Sequence, residues 1–96
     1  MNTEEIKVRH EKAANRFAAR LNGKIAYLSY EEQGDQVLDY AHVFVPEEFR
    51  GNGIAGKITK TALDWARDEG YTVIPSCPYV SSYVKKHDEY KDIIKQ

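Results

Sequence analysis

The sequence contains a single cysteine, Cys77. No internal disulfide is available to it, and a lone thiol fits a reducing compartment. No apolar run approaches the roughly 20 residues that a membrane-crossing helix needs. The opening residues, MNTEEIKVRH, carry no apolar leader. A cytoplasmic location without a membrane partner is therefore expected. Charge of one sign is missing as well: 14 basic and 15 acidic side chains leave a net −1. A broad nucleic-acid surface would show a basic excess, so no nucleic-acid partner is expected. Repeats, low-complexity tracts and linkers are absent. The 96 residues suffice for one domain and not for two, so a single domain over 1–96 is expected. A domain of this size buries roughly 60–65% of its unfolded surface, which gives it a real but small core.

The periodicity of the remaining residues outlines the fold. Ile6 and Val8 alternate with Lys7 and Arg9, predicting a short first strand. Phe17, Ala19 and Leu21 predict a second strand with one polar face. Asn22-Gly23 follows it, a favoured two-residue hairpin turn because both residues tolerate positive φ. A third strand is expected at about 24–31, with Ala26, Leu28 and Tyr30 on one face, and a turn at 33–35. Residues 37–45, VLDYAHVFV, are almost continuously apolar, which predicts a central strand covered on both faces and ended by Pro46. From 53 to 69 the period becomes helical, with Ile54, Ile58, Ala62, Trp65 and Ala66 on one side and Gly70 as the stop. A buried strand at 71–75 and one or two short tail helices complete the chain. Strand, helix and strand in this order form a βαβ crossover, and the class is α+β with a mostly antiparallel sheet.

The stretch RGNGIAGK at 50–57 satisfies three phosphate-binding patterns at once. All three rest on glycines that let backbone amides approach a phosphate at a helix N-terminus. Their contexts separate them. A dinucleotide fingerprint, G-x-G-x-x-G, needs an acidic residue at the end of the next strand, and here Pro75, Ser76 and Cys77 follow that strand. A P-loop needs Ser or Thr after Lys57, and the residue there is Ile58, on the apolar helix face. The third pattern, [QR]-x-x-G-x-[GA], is met by Arg50, Gly53 and Ala55. It lies between a hydrophobic strand ended by Pro46 and an amphipathic helix.

This strand, loop and helix resemble the acetyl-CoA-binding segment of the GCN5-related N-acetyltransferases. DYAHVFVPEEFRGNGIA at 39–55 together with IPSCPYV at 74–80 is similar to a small single-domain acetyltransferase-like subfamily of about this chain's length. The resemblance implies a compact acyl-CoA N-acyltransferase fold and acetyl-CoA or CoA as cosubstrate, with no metal. It implies that Val43, Phe44 and Val45 meet the pantetheine. It places the pyrophosphate on Arg50, Gly51, Asn52, Gly53, Ile54 and Ala55. An amide near Val43 or Phe44 would stabilise the oxyanion.

The reaction implied is acetyl transfer to an unidentified primary amine. It asks for a proton acceptor and for a donor to the leaving thiolate. His42, just before the pantetheine strand, is the candidate base, or else a strand histidine held within the fold. Cys77 is a candidate nucleophile, or a small buried hydrophobe. Tyr79 and Tyr83 are candidate acids, although PYVSSYV departs from the pattern of larger relatives. A CoA-binding sensor without turnover, or an interaction module, remains the alternative. A monomer or weak dimer is expected.

Overall fold

The computed structural model describes residues 6–95. Met1–Glu5 and Gln96 lie outside the described residues, and with them part of the opening segment and both ends of the expected 1–96 domain. Five strands form one mixed sheet in the order β1-β2-β3-β4-β5. They are β1 (Arg9–Glu11), β2 (Arg16–Leu21), β3 (Lys24–Gly34), β4 (Val37–Phe44) and β5 (Thr72–Ile74). The first four pair antiparallel, and β5 joins β4 in parallel after helix α1 (Ile54–Asp68). Helix α2 (Pro78–Lys86) and a 3-10 segment (Asp88–Ile93) follow. The α+β class and the βαβ crossover are as the periodicity predicts.

Local chemistry accounts for the turns. Asn22 and Gly23 have φ of 48° and 81°, the geometry of a two-residue hairpin turn matched to strand twist. α1 ends in a Schellman motif. The Gly70 amide donates to Arg67 O at 3.2 Å and the Tyr71 amide to Ala66 O at 2.8 Å. Tyr71 then stacks on Trp65 at 5.0 Å, the apolar contact that accompanies such a stop. Ile54, Ile58, Ala62, Leu63 and Ala66 are buried against the sheet. Lys60 bonds Asp64 one turn on, at 2.8 Å, on the wetter side. Tyr40, fully buried, donates its hydroxyl to Ala62 O at 2.7 Å and so ties β4 to the middle of α1.

Three sequence expectations need correction. The first strand lies at Arg9–Glu11 and not over 6–9, because His10 pairs with Phe17 on β2 and stacks on it at 4.1 Å. β3 runs on to Gly34, and the turn falls at Asp35–Gln36, both at positive φ. A register shift between Glu32 and Gly34 absorbs Gln33. The third correction concerns the site. β4 is not covered on both faces along its length. Tyr40 opposes Tyr30 but His42 opposes Ser29, so Ala41 is the extra residue of a β-bulge. The bulge reverses the alternation. Leu38 and Tyr40 face α1 before it, and Val43 packs on the core after it. His42 and Phe44 therefore turn to the opposite face beside Tyr27, with ring centroids 5.9 and 5.7 Å from it.

Candidate functional site

The site originates where β4 and β5 part. Their pairing stops at Asp39 and Ile74. Pro75 follows with no amide hydrogen to continue the ladder. The Cys77 amide closes the apex by donating to Tyr40 O at 3.0 Å. Beyond that point the edge of β4 has no strand beside it among the described residues, while the chain of β5 turns away into α2. Pro78 suits the first turn of α2, where an amide hydrogen would have no partner.

A wedge-shaped cavity of about 510 Å³ fills the opening. One wall is His42, Val43, Phe44 and Val45 on β4. The other is Arg50, Gly51, Gly53, Ile54, Ala55 and Gly56, the loop and first turn of α1. Phe49 and Tyr79 complete the lining. Phe44 and Tyr79, 38% and 41% exposed, are the exposed large hydrophobic residues among those described, and both lie on this one cavity. Such residues concentrated at a concave site mark a surface meant to be covered.

The loop end of the wedge suits an anion. Gly51 and Gly53 have φ of 85° and 76°, a left-handed backbone that side chains with a β-carbon adopt at a cost. Gly53 is the N-cap residue of α1 and its carbonyl accepts from the Lys57 amide at 3.1 Å. Among the described residues, the amides from Gly51 to Gly56 donate to no backbone carbonyl. The first-turn amides are free because a helix start has no carbonyl four residues back to offer them. Free donors at the positive end of the helix dipole favour negative charge. Among the described residues no acidic side chain lines the cavity, whereas Arg50 does. Its Nε donates to Val45 O at 3.0 Å, which fixes the entry to the loop. Asn52 does not line the wedge. Its Nδ2 donates to Phe49 O at 3.0 Å and braces the turn from behind.

The candidate catalytic residues divide. His42 lies exposed on the β4 wall. Tyr79 reaches the wedge from α2, and its hydroxyl stands over Gly56, 3.4 Å from where a β-carbon there would be. Burial pushes the Tyr79 hydroxyl above its ordinary pKa, so it keeps its proton at neutral pH. Tyr83, one turn along α2, lies outside the lining. Its ring is 6.4 Å from Tyr79 and stacks on His87 at 3.9 Å. Burial pushes its hydroxyl up, and the Lys60 ammonium opposes that shift. Cys77 is 5% exposed and also lies outside the lining. The structure thus brings His42, the β4 edge, the glycine loop and Tyr79 together, and leaves Asn52, Cys77 and Tyr83 behind them. Phe49 and Gly56 were not singled out as site residues from the sequence. Gly56 had a signal, as the third glycine of the competing fingerprint; Phe49 had none.

Comparisons with known proteins bear on this geometry. A family model described as GCN5-related N-acetyl-transferase matches residues 16–93. Protein NATD1 of Mus musculus is 38% identical over 84 residues, covering 85% of this chain and 76% of that protein. The Danio rerio protein of the same name is 36% identical over 93 residues, covering 93% and 84%. The NMR solution structure of a GCN5-like protein from Staphylococcus aureus superposes with a TM-score of 0.71 at 27% identity, over 99% of this chain and 91% of that one.

Proposed function

Because the chain belongs to the GCN5-related N-acetyltransferases, we propose that its wedge binds acetyl-CoA and that the protein transfers the acetyl group to a primary amine. In this reading the whole chain, 1–96, is one such domain at work in the cytoplasm. One observation carries it: a single cavity joins the unpaired edge of β4 to the free amides at the start of α1. An extended chain of amides ending in a diphosphate is the ligand chemistry that matches such an edge running into such a cradle.

Acetyl-CoA, when bound, supplies an already activated thioester. Val43, Phe44 and Val45 offer backbone groups to the pantetheine. The loop from Arg50 to Ala55 holds the diphosphate, with Asn52 bracing it. His42 accepts the proton lost by the amine as the carbon–nitrogen bond forms. Tyr79 gives a proton to the sulfur as the carbon–sulfur bond breaks, and Tyr83 packs behind it. In this reading an amide on the β4 edge near Val43 or Phe44 steadies charge on the carbonyl oxygen. Direct transfer is favoured over an acetyl-cysteine, because the Cys77 thiol lies under the wedge and not in it.

A CoA-binding module without turnover is the second reading. The exposure of His42 and Phe44, on the sheet face turned away from α1, favours it, since an acceptor would have little wall there. Titration calorimetry with acetyl-CoA, followed by detection of released thiol across a panel of primary amines, separates the two. Binding with thiol release supports the transferase. Binding without release with any amine supports the module. Absence of binding overturns both.

A further inference from the structure

A second cavity of about 440 Å³ opens between the end of β5, α2 and the C-terminal segment. Pro75, Val84 and Ile94 give it an apolar floor, and Ser81, Lys85, Lys91 and Lys95 surround them. Among the described residues, no acidic side chain lines it. The chain as a whole carries a net −1, so this concentration of positive charge does not reflect a basic composition. Residues 85–95 read KKHDEYKDIIK, with three acids among four lysines. Tertiary structure sorts them. Asp92 turns to Arg67 at 3.5 Å. Asp88 meets Lys91 at 3.3 Å, and both side chains are more than 70% exposed, where such pairs are weak. Lys85 and Lys95 have no ion-pair partner among the described residues. The wall carrying Lys95 is anchored. Ile94 forms a parallel bridge with Val73, and the Lys95 amide donates to Val73 O at 2.8 Å.

This cavity is separate from the wedge. At about 100° per residue, Ser81, Val84 and Lys85 centre on the side of α2 opposite Tyr79. We propose that it is a second binding site, for a small organic anion with an apolar body: a carboxylate, sulfonate or phosphate ester. Three ammonium groups around one concavity repel one another and attract a counter-charge. The apolar floor favours a ligand whose body can displace water from Val84 and Ile94. The volume lies within the range of small-molecule sites.

Heteronuclear NMR on the 15N-labelled chain tests it, with 8-anilinonaphthalene-1-sulfonate as the probe and uncharged N-phenyl-1-naphthylamine as its control. The expected result is saturable binding at one site, with shifts centred on Ser81, Lys85 and Lys95 and a weaker response to the uncharged compound. The double substitution Lys85→Gln/Lys95→Gln changes two exposed side chains and leaves the fold's spectrum in place. It should weaken the sulfonate by about five- to tenfold. Shifts confined to residues 42–56, equal affinity for both compounds, or unchanged affinity in the double variant would each overturn the proposal. None of these readings depends on whether acetyl-CoA binds in the wedge.

Discussion

Gly53 is where the proposed diphosphate cradle can be tested with a single charge. Its φ of 76° puts it in the left-handed region, and it is the N-cap of α1. Replacing it with Asn or Asp imposes a similar backbone cost, of order 1 kcal/mol, since both tolerate this region better than most residues. That cost lowers the melting temperature by about 4–8 °C for a domain of this size. The two variants have nearly the same shape and differ in charge. A carboxylate about 5–6 Å from a phosphate charge, at an effective dielectric near 20, is repelled by about 3 kcal/mol. Gly53 is exposed, so solvent and salt reduce this to about 1.5–3 kcal/mol, which is roughly ten- to a hundredfold in affinity. The assay is calorimetric titration of CoA into wild type, Gly53→Asn and Gly53→Asp, with thermal unfolding of each. Gly53→Asp should bind at least tenfold more weakly than Gly53→Asn, with melting temperatures within a few degrees of each other. Equal affinity for the two variants would refute the anion cradle, whatever their stability.

Other perturbations follow the same geometry. Tyr79→Phe should keep acetyl-CoA affinity and slow turnover by about ten- to a hundredfold; an unchanged rate would remove Tyr79 as proton donor. Cys77→Ala should leave CoA binding nearly intact, and intact-mass analysis of wild type after acetyl-CoA should show no acetyl adduct; an adduct lost in the variant would restore the acetyl-cysteine route. Ile58→Ser, which completes the P-loop signature, should destabilise the protein by about 3–5 kcal/mol in urea titrations, because Ile58 is fully buried. It should confer no binding of ATP. His10 has its pKa lowered, first by burial and then by the Lys12 ammonium. The fold therefore favours the neutral ring. Stability should be fully present above the ordinary imidazole pKa of 6.5 and fall as pH drops through it towards the lowered folded value. Thermal melts from pH 8 to 5 should show this decline in wild type and a shallower one in His10→Gln.

The residue string by itself determined whatever depends on near neighbours. Asn22-Gly23 dictates its hairpin turn because those two residues accept left-handed φ. The helical spacing from Ile54 to Ala66, the stop at Gly70 and the strand-ending prolines are local in the same sense. So is the choice among the three glycine patterns, since the residue after Lys57 and those after β5 can be read directly. Tertiary structure alone decided which side chains meet. The bulge at Ala41 has no local signature, because it exists only in the register of β4 against β3. That one extra residue turns His42 and Phe44 away from α1, where simple alternation from Tyr40 would have buried them. The parting of β4 from β5 then makes the cavity, and the Cys77 amide on Tyr40 O fixes its apex. The rotation of α2 brings Tyr79 into the wedge and leaves Tyr83 against His87. It also collects Lys85 with Lys91 and Lys95 around a second cavity, although acids and bases are mixed along that stretch. Turns and helix ends are decided by the conformational preferences of a few adjacent residues. A site is decided by contacts between segments far apart in the chain, and these are set only once the sheet and its helices have packed.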